Sequence, residues 1–99
     1  MPNHKSKLNW CLADAKRMKV IAPNVKLARE HIEKAKHNLR AAAYNQTGGF
    51  EDWAVSQAYY AMYHALLAIL FKAGYESKNH ECTINAIEYL IEKSNRIKC

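Results

Sequence analysis

Tyr60 and His64 stand one helical turn apart in WAVSQAYYAMYHALLAILF, Trp53–Phe71, nineteen residues without an Asp, Glu, Lys or Arg. On a helix they share a face. An imidazole beside a phenol there has two uses. It can handle a proton or a phosphate in a cleft between chains. Or the two groups satisfy each other, Gln57 or a partner, because buried polar groups need hydrogen bonds. A second constellation is Arg29, Lys36 and Arg40, spaced by seven and four. These form a basic stripe able to follow the phosphates of RNA or a nucleotide, or simply to solvate a helix surface. His31 and His37 lie six apart, which does not set them on one face for a metal. Asp and Glu are too scattered for a two-metal site, and there is no GxxxxGK, GxGxxG or Ser-His-Asp pattern. No metal and no cofactor is expected.

The chain that must position these groups has 99 residues, enough for one domain with a modest core. Three glycines and two prolines in a background of Ala, Lys, Leu, Glu and Ile favour helix over sheet. The net charge of +6 is uneven: residues 1–45 hold ten Lys/Arg against three Asp/Glu, residues 46–99 five against six. A basic half suits a polyanionic partner, whether nucleic acid, a nucleotide or an acidic protein, and equally a solvated surface. Cys11, Cys82 and Cys99 are an odd number with no CxxC and no close pair. Neither a disulfide nor a zinc site is expected, and a cytoplasmic location follows. The start, MPNHKSKLNW, leads into no apolar run of signal-peptide type.

Periodicity predicts four helices in one domain, 1–99, divided into an N-terminal helix (1–22) and a core (23–99). The first runs from Lys5 to Val20, with Leu8, Cys11, Leu12, Ala15 and Met18 on one side. Ala22-Pro23-Asn24 ends it, and Asn24 is placed to cap the next helix. The second, Asn24 to Gln46, carries Val25, Ala28, Ile32, Ala35, Leu39 and Ala42 as a heptad-like seam. Glu30 and Lys34 can pair one turn apart on it. Thr47-Gly48-Gly49 stops this helix. The third runs from Glu51 to Ala73, with acids at its positive end, and Gly74 closes it. After the loop YESKN the fourth begins near Asn79, with Ile84, Ile87, Leu90 and Ile91 apolar and Glu92 and Arg96 a possible outer pair. Short connections between the four predict an all-α, up-down four-helix bundle around the uncharged helix 51–73.

At 100° per residue, Val55, Tyr59, Met62, Leu66 and Ile69 form one face of that helix. Trp53, Gln57, Tyr60, His64, Leu67 and Phe71 form the opposite one, and Ala54, Ala61, Ala65 and Ala68 make a narrow stripe between. Such a helix needs burial all round. Six polar or hydroxyl-bearing residues in nineteen argue against a membrane. The expectation is that the aliphatic face packs on helices 1, 2 and 4, that the aromatic face meets a second chain in a two-fold homodimer, and that the alanines admit a close neighbour.

The segment SQAYYAMYHALLAIL, followed by KAGYESKNH opening a further helix, resembles the HEPN domain, in particular its small stand-alone bacterial and archaeal members. AREHIEKAKHNLRAA resembles their basic, alanine-rich early helix. The similarity covers roughly Lys26 to Leu90. It implies a helical bundle, usually dimeric, often paired with a minimal nucleotidyltransferase as a toxin–antitoxin-like module. Many members are metal-independent ribonucleases whose site is an Arg, four to six residues and a His, brought together from two chains. Here no Arg precedes a His at that spacing. By position, His80 matches the family histidine, with Lys78 beside it as a point charge for phosphate that lacks the fork of Arg. His80 also lies at a predicted helix start, where backbone N–H groups attract anions. The resemblance thus implies a dimeric module that binds a nucleotide or RNA through Arg29, Lys36, Arg40, Lys78 and His80, or partners a nucleotidyltransferase. The rivals are an endoribonuclease using His80 and Lys78, and a structural subunit without a ligand of its own.

Overall fold

Local signals near the helix ends set most of the architecture. The computed structural model describes residues 4–98, and the side chains of residues 5–94. The order is α1 (His4–Leu12), β1 (Met18–Val20), α2 (Val25–Thr47), α3 (Glu51–Ala73), β2 (Tyr75–Ser77) and α4 (His80–Lys98). Four helices in an all-α bundle are as expected, with the addition of a two-stranded antiparallel ribbon. The Glu92–Arg96 pair lies outside the described residues.

The first helix is shorter than its periodicity implies. Asp14 turns the chain instead: its carboxylate accepts from Lys16 N at 2.9 Å and its carbonyl from Arg17 N at 2.8 Å, a local bond that competes with the helix ladder. Met18, Lys19 and Val20 then pair with Ser77, Glu76 and Tyr75, so the loop YESKN is largely strand. Lys19 and Glu76, directly opposite, form an ion pair at 3.2 Å. Gly74 joins α3 to β2 in the left-handed region, φ 100°, its N–H bonded to Leu70 O. Asn24 caps α2 as expected, its side chain accepting from Leu27 N at 2.9 Å.

Two clusters form the core. Leu8, Cys11, Met18, Leu70, Cys82 and Ala86 join α1, β1, α3 and α4, and Ala28, Ala68 and Phe71 join α2 to α3. A disulfide links Cys11 to Cys82, overturning the expectation of unpaired cysteines. Its partners are 71 residues apart in sequence, and the fold alone brings them together. With it goes the cysteine argument for a reducing compartment.

The faces of α3 are exchanged relative to expectation. α2 and α3 form an antiparallel hairpin whose partners run in opposite directions, Asn45 with Gln57, His31 with His64, Ala28 with Ala68. Gln57, His64, Leu67 and Phe71, four of the six residues expected to meet a second chain, are therefore occupied by α2. Trp53 and Tyr60, the other two, stand exposed. Val55, Tyr59, Met62 and Ile69, expected inside, are exposed as well. The cause is the alanines: Ala61 and Ala68 are buried, as are Ala28 and Ala35 on α2, and the helices approach where side chains are smallest. By length and composition α3 could cross a membrane, though little of it is buried within the chain. The radius of gyration, 15.4 Å, exceeds the roughly 13 Å of a well-filled domain of this size, and one flank of the hairpin is left uncovered.

Candidate functional site

The junction of β2 and α4 gathers the polar groups. Asn79 caps α4, accepting at Oδ1 from Cys82 N (3.1 Å) and at its carbonyl from Thr83 N (2.9 Å). Thr83 is fully buried and its hydroxyl lies 3.0 Å from Tyr63 OH and 2.7 Å from Ser77 Oγ. Ser77 Oγ in turn donates to Asn79 O at 3.0 Å. Each hydroxyl has one proton, and the run Tyr63 to Thr83 to Ser77 to the Asn79 carbonyl satisfies all three, with the Thr83 hydroxyl also 3.1 Å from that carbonyl. This chain anchors the Tyr63 ring, and the ring carries His80.

His80 is the first residue of α4 and is exposed. Its ring centroid lies 4.2 Å from Tyr63 and 6.4 Å from Tyr59, which stacks on Tyr63 at 6.4 Å; Tyr60 meets Tyr59 edge-on at 5.9 Å. An imidazole at a helix N-terminus, on a floor of phenol rings, can hold an anion and offer a stacking surface to a base. Lys78 is exposed two residues earlier, its backbone N–H fixed to Arg17 O at 2.9 Å.

Arg29, Lys36 and Arg40 are all exposed along α2. Lys36 pairs with Glu33 at 3.4 Å; the Glu30–Lys34 pair is not formed among the described residues. No hydrogen bond, ion pair or ring contact joins this stripe to the His80 group within the described part of the chain. The Tyr60–His64 contact is not made either. His64 instead meets His31, Nδ1 to Nδ1 at 2.9 Å, stacked at 5.1 Å, with Phe71 on the far side of His31. Burial lowers the pKa of both imidazoles, and each is lowered further by Lys34 and, for His31, by His64. The lowering favours the neutral form of the pair, which bridges the hairpin. Among the described residues no group of three or more His, Cys, Asp or Glu could hold a metal ion.

Tyr59, assigned by its angle to the aliphatic face, and Tyr63, Ser77 and Thr83 have no part in a site by sequence reasoning. Tyr59 and Tyr63 sit one turn apart, but only the strand at 75–77 brings Ser77 onto Thr83.

The chain belongs to the HEPN family: the model described as HEPN domain matches residues 28–98. That family has nucleotide-related, RNA-related and nucleotidyltransferase-partner roles. The match omits α1 and β1, which the disulfide and the ribbon tie to it. Compared with curated proteins and with solved structures, the chain matches none.

Proposed function

We propose that the protein is a homodimeric HEPN module that binds RNA or a nucleotide at the head of α4. The observation that carries this is His80, exposed at a helix N-terminus against the anchored Tyr63 ring, with Lys78 beside it. Phosphate would meet the imidazole, Lys78 and the first N–H groups of α4, while a base would stack on Tyr59 or Tyr60. In a toxin–antitoxin-like pair with a nucleotidyltransferase, this same group would face the nucleotide.

The test is anisotropy of labelled single-stranded RNA and of a labelled nucleotide across a salt series. Binding should weaken as salt rises, and His80→Ala with Lys78→Ala should cost about tenfold or more. Unaltered affinity in that double variant removes the site. Cleavage of the RNA in the presence of chelator, lost in His80→Ala, would make the protein an endoribonuclease rather than a binder.

A further inference from the structure

We infer that the segment ahead of the family match builds a subsite of its own: a groove between α1 and α4, walled by Trp10, that takes one base of a single-stranded RNA, guanine foremost. This deepens the reading above and rests on it for the neighbouring phosphate, while the groove is tested apart from it.

Trp10 is the largest side chain of α1 and is 50% exposed. Arg17 folds back over it. The guanidinium carbon lies 3.9 Å from the ring centroid, one terminal nitrogen donates to the Trp10 carbonyl at 2.9 Å, and the other is 3.9 Å from the Asp14 carboxylate. The turn that brings Arg17 back does not need this contact, because Asp14 closes it with its own bonds to Lys16 N and Arg17 N. Arg17 Nε is buried with no hydrogen-bond partner among the described residues, so the guanidinium is committed to the ring rather than to a full set of acceptors. The effect is to hold an exposed indole in one orientation, as a stacking platform requires.

The ring faces an open groove of about 350 Å³, which it lines with Ser6 and Lys7 from α1 and Glu81 and Asn85 from α4. That is the small end of the range for ligand sites, room for one base. The walls are tied together. The disulfide joins Cys11, next to Trp10, to Cys82, next to Glu81. Asn85 is 7% exposed and donates weakly to Cys11 Sγ at 3.9 Å, which places its amide on the buried side.

Charge names the occupant. Residues 4–22 carry Lys5, Lys7, Lys16, Arg17 and Lys19 against Asp14 alone. Lys5, Lys7 and Lys16 are exposed and in no ion pair among the described residues. An indole among free lysines suits single-stranded nucleic acid, the cations following phosphates while the ring stacks a base. Glu81 would repel a phosphate but accepts from a base edge. Guanine offers N1–H and N2–H side by side, matching both carboxylate oxygens, whereas uracil offers one N–H between two carbonyls. The groove also adjoins the head of α4: Lys78 N–H donates to Arg17 O at 2.9 Å, and Glu81 follows His80 in the chain. A phosphate at Lys78 and His80 and a base on Trp10 therefore belong to neighbouring nucleotides of one strand. The ligand is a strand rather than a mononucleotide.

The chain has two tryptophans, so Trp53→Phe leaves Trp10 as the sole indole. Its emission should be quenched by the pentanucleotide UUGUU and unmoved by UMP. In anisotropy, Trp10→Leu should lose about tenfold or more in affinity for labelled UUGUU and keep its affinity for labelled UMP. UUGUU should bind about tenfold more tightly than UUUUU, and Glu81→Gln should remove most of that difference. Equal losses of UUGUU and UMP in Trp10→Leu would make Trp10 a packing residue and overturn the subsite. So would emission unmoved at saturating UUGUU, or equal affinity for the two RNAs. If His80→Ala with Lys78→Ala abolishes binding and Trp10→Leu leaves it intact, the head of α4 stands and the groove falls. The reverse pattern removes the head of α4 and keeps the groove. A wild type that binds neither RNA nor UMP removes both.

Discussion

Reducing the Cys11–Cys82 disulfide should cost this protein a large part of its stability. The bond closes a loop of 71 residues that encloses β1, α2, α3 and β2. Loop-closure entropy for that length is about 15 cal/mol/K, or roughly 4.4 kcal/mol at 25 °C, removed from the folded state's advantage on reduction. That is a ceiling, because the reduced unfolded chain keeps some structure, and about 2–4 kcal/mol is the working expectation. For a domain of this size each kcal/mol moves the midpoint by roughly 4–8 °C, so the loss reads as at least about 8 °C. Both sulfurs are fully buried among Leu8, Met18, Leu70 and Ala86, so the freed thiols stay packed and most of the change is borne by the unfolded ensemble. Urea melts with and without reductant measure it, alongside alkylation of the denatured chain. Unreduced protein should take up one alkyl group, on Cys99, and reduced protein three. Three groups on the unreduced chain would show that the bond is not made. Superposed melts, with both thiols confirmed free, would refute the loop argument itself.

Two further outcomes follow from the geometry of the hairpin and its exit. His31 and His64 share one proton between facing Nδ1 atoms, and burial first, then His64 and Lys34, lowers the pKa of His31, while burial and Lys34 lower that of His64. Folded pKa values below the unfolded 6.5 mean the folded state binds fewer protons, so stability from this pair is complete above 6.5 and is lost as pH falls through the lowered values. The urea midpoint should drop once the pH falls below about 6.5, and His31→Phe with His64→Leu should flatten that part of the profile. Gly74→Ala should destabilise by about 1–3 kcal/mol in the same assay, since φ is 100° and the new Cβ would sit 3.0 Å from Ile21 O; an unchanged midpoint would mean the α3–β2 turn is free to rearrange.

Boundaries were legible where a local residue sets them. Asn24, Glu51 and Gly74 act on their own backbone, and α2 and α3 begin and end within a residue of expectation. The end of α1 was not, because Asp14 bonds its own turn while Leu8, Cys11 and Met18 still reach one core by chain reversal. The disulfide could not be seen in the sequence, its partners meeting only after α1 docks on α4. The His31–His64 bridge could have been found by reflection: the two lie about equally far before and after Gly48, as partners in an antiparallel hairpin must. His80 and Lys78 came from family resemblance, and the phenol floor beneath His80 required the ribbon.

The exchanged faces of α3 carry the most general lesson. A helix apolar all round gives no angular signal, so side-chain size decides which face meets which neighbour, and alanine marks the closest approach. Once Ala61 and Ala68 are set on α2 and Tyr63 and Leu70 on α4, the absence of charge from Trp53 to Phe71 remains unexplained by this chain alone, which leaves Val55, Met62 and Ile69 in the open. A solvent-facing sector of that length would ordinarily carry Lys or Glu at several positions. Charges appear instead just outside it, at Asp52 in the first turn of α3 and Lys72 in the last, where each suits the helix dipole. The composition of α3 is that of a helix with three helical neighbours, and the fold supplies two.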